Sequence, residues 1–146
     1  MLKPAVILFT SLFLLACEPG APASSPAAAP TVAVPDAAHN ARNSLDWAGS
    51  YQGMLPCADC EAINTTLRLY SDGRYQLQQL YVGKSTQPFI QQGQFSWNPA
   101  GSTVLLDGER PQQFFVAENH LFMLDQQGNR IEGELAARYR LAKQQG

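Results

Sequence analysis

The sequence predicts an all-β domain, a small antiparallel meander of short strands closed into a barrel. Three observations predict it. Apolar and polar residues alternate with period two from Tyr51 onward, turn signals recur every eight to twelve residues, and no convincing helical pattern appears. Closure follows from a general liability: consecutive hairpins in one small domain leave unpaired edges, and a barrel removes them.

The elements follow in chain order. Ile63, Thr65, Leu67 and Leu69 share one face of a strand, with Asn64, Thr66, Arg68 and Tyr70 on the other. Ser71-Asp72-Gly73 ends it, since glycine after aspartate supplies the positive φ of a tight hairpin. From Arg74 to Val82, Tyr75, Leu77, Gln79 and Tyr81 alternate with Gln76, Gln78, Leu80 and Val82. Gly83-Lys84-Ser85 turns the chain again. Phe89, Gln91, Gly93, Phe95 and Trp97 share a face of the next strand, which Asn98-Pro99-Ala100-Gly101 breaks. Ser102–Leu106, Gln112–Ala117, His120–Leu124 and Arg138–Leu141 complete a set of eight or nine strands. Asp107-Gly108, Glu118-Asn119 and Gln127-Gly128-Asn129 separate them. The expected aromatic filling is Tyr51, Tyr75, Tyr81, Phe95, Trp97, Phe115 and Tyr139. Gln76, Gln78, Gln79, Gln91, Gln92 and Gln94 alternate with apolar residues and read as the wet face of strands. Glu132–Ala137 alone has the length for a helical turn.

The N-terminal segment is of a different kind. After Lys3, the twelve apolar or small residues Ala5 to Ala16 are too few for a membrane-spanning helix, which needs about twenty. A basic residue, a short apolar stretch and a small residue before a cut site mark a secretion signal. The tetrad Leu14-Leu15-Ala16-Cys17 resembles the lipobox of bacterial lipoproteins. That resemblance implies cleavage before Cys17, a diacylglycerol on its sulfur and an acylated amino terminus, with the processing and sorting machinery as partners. From Glu18 to Ala38 come five prolines and eight alanines, with Val32 and Val34 as the only sizeable apolar groups. Such a stretch cannot build a core. The expected organisation is a signal peptide over 1–16, lipidated Cys17 with an Ala/Pro-rich disordered linker over 17–44, and a barrel domain over 45–143. Taken as a flexible chain, the linker reaches on the order of 30 Å. Glu18 is not the aspartate associated with inner-membrane retention, so the expected address is the outer membrane, facing the periplasm.

Composition narrows the function. Without residues 1–16, which hold Lys3 as their one charge, nine Lys+Arg stand against twelve Asp+Glu, a net charge of −3. No basic stripe appears, so a nucleic-acid partner is not expected. No Ser-His-Asp order, His-x-x-x-His or phosphate-cradling glycine loop is present, and the chain reads as a non-enzyme. With Cys17 lipidated, Cys57 and Cys60 remain as one close pair. In an exported protein such a pair is most simply a disulfide.

The run Tyr51-Gln52-Gly53-Met54-Leu55-Pro56-Cys57-Ala58-Asp59-Cys60-Glu61-Ala62-Ile63, followed by Thr65-Thr66-Leu67-Arg68-Leu69, resembles the N-terminal domain of the NlpE copper-resistance lipoproteins. Asp72-Gly73-Arg74-Tyr75 is similar to that family's hairpin, and Gly93-Gln94-Phe95-Ser96-Trp97 to its next strand. Phe122-Met123-Leu124-Asp125 with Gly128-Asn129-Arg130-Ile131-Glu132 resembles its closing region, so the likeness covers about Trp47 to Leu141. Ala62 stands where the family often has glycine. Longer members continue into an OB-like domain with another cysteine pair, whose roles are not carried over. The resemblance implies a lipocalin-like barrel, an envelope location, and a link to copper tolerance or envelope-stress signalling, with an envelope-stress sensor as partner.

Three chemistries compete for Cys57 and Cys60. A thiol oxidoreductase needs a low-pKa thiol, typically at a helix N-terminus, but Ile63, Thr65 and Thr66 read as strand. Asp59 and Glu61 also oppose a thiolate. A disulfide suits the compartment and requires no cofactor. After reduction, the two thiolates suit Cu(I), and Met54 and Met123 offer thioethers to the same set. His39 is expected to be solvated in the linker and His120 exposed at a strand end. The competing function class is a lipocalin-like binder of a small apolar ligand, which needs a cavity of about 300 Å³ or more.

Overall fold

The computed structural model describes residues 39–145, and Cys17 with the expected signal peptide lies outside them. Eight antiparallel strands close into a barrel in chain order. They are β1 (Gly49–Leu55), β2 (Ala62–Leu69), β3 (Arg74–Val82), β4 (Phe89–Trp97), β5 (Thr103–Leu106), β6 (Gln112–Ala117), β7 (His120–Met123) and β8 (Arg140–Lys143). Every strand pairs with its chain neighbours, and β8 returns to β1 at Tyr51↔Lys143 and Gln52↔Ala142. The all-β barrel expected from alternation is therefore the observed fold.

Side-chain direction follows the predicted faces. Thr65, Leu67 and Leu69 of β2 and Tyr75, Leu77 and Gln79 of β3 are buried. With Tyr51, Leu55, Val104, Leu106, Phe114, Val116, Leu121 and Leu141, the apolar members of these faces form one continuous core. Phe114, not Phe115, enters it. In the adjacent pair only one ring can face inward, and the register Phe114↔Met123 places Gln112, Phe114 and Val116 inside. Phe115 lies on the outer face with the Arg130 guanidinium 5.3 Å from its ring centre. Gln79 and Gln91 are also corrected, because alternation turns both inward and buries them.

One end of the barrel is plugged. Trp47, Phe95 and Trp97 meet edge to face, with ring centres 5.4–6.2 Å apart. The Tyr51 hydroxyl donates to Trp47 O at 2.7 Å, and Trp47 Nε1 donates to Arg42 O at 3.0 Å. A single helical turn, α1 (Ala41–Ser44), is capped by the Asn40 side chain and held by the bond from Arg42 N to Gly101 O. Residues 40–44 were expected to belong to the linker; they instead join the packed unit. Ala41 and Leu45 supply the reason, since both pack on the core. Near the C-terminus, the expected turn at Glu132–Ala137 is a 3₁₀ turn at Ala136–Arg138, and the last strand begins at Arg140 rather than Arg138.

Candidate functional site

Antiparallel order brings the β1–β2, β3–β4, β5–β6 and β7–β8 connections to the other end of the barrel, the mouth. The first of these carries the cysteine pair. Leu55 and Ala62 are buried at the two strand ends, so the loop between them starts and finishes on fixed points. Cys57 and Cys60 are joined as a disulfide with Cα atoms 5.3 Å apart. Ala58 and Asp59 between them are exposed, both cysteines are half-buried, and neither belongs to the core.

A second connection holds this loop. The N–H of Glu61 donates to Val82 O at 3.2 Å, prolonging the β2–β3 ladder past Ala62. Beyond Val82 the chain reverses at Gly83, whose φ of +82° is readily adopted only without a side chain. That turn aims Lys84 at the cysteine loop, where its ammonium pairs with the Asp59 carboxylate. The bond to Lys84 holds the Asp59 carboxyl below the usual carboxylate range. Its folded pKa is depressed, so the tie is present above the unfolded carboxylate pKa and is lost as pH falls through the folded one. Both partners are exposed, and such a pair contributes little to stability. Its consequence is local: it sets the position of a loop, not the stability of a fold.

The electrostatic surroundings differ from the simple expectation of two unopposed carboxylates. Asp59 Oδ1 lies 3.7 Å from Cys57 Sγ, yet Lys84 partly offsets that negative charge. Cys60 Sγ sits 3.4 Å from Ala62 O. One ligand atom from each of Cys57, Asp59 and Cys60 falls within 4.8 Å of the others, a cluster that includes two soft donors once the bond is reduced. The thioethers are placed differently. Met54 is 47% exposed on the outer face of β1, whereas Met123 packs against the core. They stand on opposite sides of the barrel wall, so a ligand set using both is not built here. His39 is exposed, and the His120 ring nitrogen Nδ1 is 3.0 Å from Glu118 O. Neither histidine joins the cysteine cluster.

Sequence reasoning missed the Asp59–Lys84 tie. Its only signal was the turn Gly83-Lys84-Ser85, which places a lysine two residues after a strand end whose partner strand begins beside the cysteines.

Comparison with known proteins agrees with this geometry. The model of the NlpE N-terminal domain matches residues 51–134. Lipoprotein NlpE of Escherichia coli K12 is 37% identical over 87 residues, covering 58% of this chain and 37% of that protein. The chain thus spans little more than a third of the length of this curated relative. A crystal structure of a Shewanella oneidensis protein described as a lipoprotein is similar at a TM-score of 0.69 and 44% identity, covering 73% of this chain and 97% of that one. The crystal structure of the Cpx pathway activator NlpE from Escherichia coli is similar at a TM-score of 0.53 and 31% identity, covering 60% of this chain and 46% of that one. Barrel, cysteine loop and matched span lead to one conclusion: the chain belongs to the NlpE N-terminal domain family.

Proposed function

We propose that this protein is a lipid-anchored, periplasm-facing lipoprotein of the outer membrane that serves copper tolerance or envelope-stress sensing through its Cys57–Cys60 loop. The observation that carries the reading is the position of the disulfide: it lies on a mouth loop outside the core, with exposed residues between the sulfurs. Opening it removes no apolar contact from the core. The pair closes a short loop, so its loss costs about 2 kcal/mol by loop entropy, less than the stability of an ordinary domain. A bond with that placement can change state while the barrel stays folded, which is what a chemical handle requires.

Reduction by an external dithiol, which leaves as its own disulfide, transfers two electrons and two protons to the pair and leaves two thiols, whose deprotonated forms are soft ligands for Cu(I). Cys57 and Cys60 would hold the ion, which would supply a thiolate-bound copper centre at the mouth. Asp59, a hard ligand already paired with Lys84, fits the role of positioning the loop better than that of binding soft copper. The similar Escherichia coli protein is named a Cpx pathway activator. For this chain we carry over an envelope-stress sensor as partner, and a non-catalytic role.

The test combines a redox trap with a titration. Alkylation without reductant of freshly isolated protein is expected to leave Cys57 and Cys60 unlabelled. The Cys57→Ser, Cys60→Ser double variant is expected to keep its β-rich circular dichroism, melt several degrees lower and lose the copper or stress response. Anaerobic Cu(I) titration of the reduced protein is expected to show one ion bound, abolished in the double variant. A double variant with unchanged copper tolerance and unchanged stress signalling overturns the reading.

A further inference from the structure

The barrel interior changes character toward the mouth. Below, Leu67, Leu77, Phe114 and Leu121 are fully buried and in one core. Above them the inward positions pass to Ile63 on β2, Gln79 and Tyr81 on β3, Gln112 on β6 and Met123 on β7. These line a half-enclosed cleft of about 580 Å³, with Arg110 at its rim. That volume lies within the ~300–1,000 Å³ range of small-molecule sites. No residue of the cysteine loop lines it.

The floor of this cleft is polar and incompletely paired. Gln112 Nε2 donates to Gln79 Oε1 at 3.5 Å, a long bond that crosses the barrel from β6 to β3. Gln79 is only 4% exposed. Gln112 Oε1 is buried, and among the described residues no protein donor reaches it. Gln79 Nε2 donates to no protein acceptor among the described residues. One unused donor and one unused acceptor therefore stand at the same crossbar. Turning both carboxamides over exchanges their roles and leaves the same pair. A buried amide atom without a partner costs on the order of 1–3 kcal/mol, a cost that a complementary ligand removes.

The walls complete a mixed-polarity cup. Ile63 and Met123 supply aliphatic and thioether surface, and the Tyr81 ring supplies a flat face. Tyr81 is held from the rim, where Arg110 Nη1 donates to its hydroxyl at 3.3 Å while the guanidinium lies 4.8 Å over the Phe89 ring.

We propose that this cup binds a small neutral molecule with a flat apolar body and an amide-like edge, such as a primary carboxamide, lactam or imide. The edge presents an N–H to Gln112 Oε1 and a carbonyl to Gln79 Nε2, and the body packs on Ile63, Tyr81 and Met123. A purely apolar ligand would leave the crossbar unpaired, so the site selects against the aliphatic cargo that the barrel shape alone suggests. The site does not depend on the redox state of Cys57 and Cys60, and it stands or falls apart from the role proposed for them.

The experiment uses the full chain as a Cys17→Ser protein with methyl-labelled methionines, titrated with 2-naphthamide and with methyl 2-naphthoate, which lacks the N–H. The Met123 methyl resonance is expected to shift saturably with the amide while the Met54 methyl, on the outer face, stays still. The amide is expected to bind about tenfold or more tightly than the ester, the factor a lost hydrogen bond to a buried acceptor implies. Gln112→Leu is expected to erase that preference without abolishing ester binding. The comparison in the unaltered mouth decides the matter even if that variant fails to fold. Equal affinity for the two compounds, a preference that survives Gln112→Leu, or no saturable shift of Met123 overturns the proposal; the last result means that water alone serves the crossbar.

Discussion

Tyr51 joins the core, the plug and the closing seam in one side chain. It is fully buried, donates to Trp47 O at 2.7 Å and lies in register with Lys143. Burial first, and the Asp46 carboxylate second, push its hydroxyl up to about 12. A folded pKa above the unfolded value of about 10 means that this contribution is fully present below pH 10 and is lost as pH rises through 12. A shift of this size corresponds to about 2–3 kcal/mol. Urea unfolding at stepped alkaline pH is therefore expected to show stability falling between pH 10 and 12. Tyr51→Phe cannot ionise there and should lose much of that slope, after a loss of about 1 kcal/mol at neutral pH from the missing bond. Tyr75, whose hydroxyl is also raised by burial, accounts for what slope remains. Identical slopes in the two proteins would show that Tyr51 titrates like an exposed tyrosine. At this scale the sequence was partly legible. Alternation placed Tyr51 and Tyr75 inside, but Phe115 was expected inside where Phe114 is, because two adjacent rings satisfy a period of two in either phase. Gln79 and Gln91 follow the phase of their strands rather than the polarity of their side chains.

At the scale of elements, the long strands were legible and the closure was not. β2, β3 and β4 are eight or nine residues each and carry their alternation in full. β5, β7 and β8 have four residues each, too few for a period to declare itself. The α1 turn was hidden for the same reason: four residues hold no helical repeat, although Asn40 is a good N-cap. The β1–β8 seam rests on two register pairs and one further bond, from Gln144 N to Ser50 O. Gly53 lets the two strands approach, because a Cβ there would stand 2.4 Å from Arg140 O and 2.9 Å from Leu141 Cδ2. Backbone cannot give way as a flexible side chain does. Gly53→Ala is thus expected to lower stability by about 1–3 kcal/mol, with amide exchange rising first in Arg140–Ala142. Gln52→Ala, exposed on the same strand, should stay within about 0.5 kcal/mol of the parent. If both variants melt alike, the seam is looser than its geometry implies.

Among the described residues, the cysteine loop and the mouth cleft lie at the end of the barrel opposite the aromatic plug. The position of the cysteine pair in the chain was legible because Leu55-Pro56-Cys57-Ala58-Asp59-Cys60 is contiguous. The mouth cleft was not, because its walls come from four strands and its polar floor from residues 79 and 112, whose meeting depends on closure. The ladder of the barrel is complete within Gly49–Lys143. Lipid binding scales at about 0.8 kcal/mol per buried methylene, and one chain alone holds only marginally. Three chains on an N-acylated, S-diacylglyceryl cysteine would make membrane attachment effectively permanent, and removing the attachment point would abolish it outright. Cys17→Ser is accordingly expected to move the protein from the membrane fraction to the soluble periplasm, with its mass reduced by the missing acyl chains. The far-UV circular dichroism and the melting temperature of the barrel should not change. Retention in the membrane at unaltered mass would mean that Cys17 carries no lipid. A lowered melting temperature would mean that the N-terminal cysteine also supports the barrel.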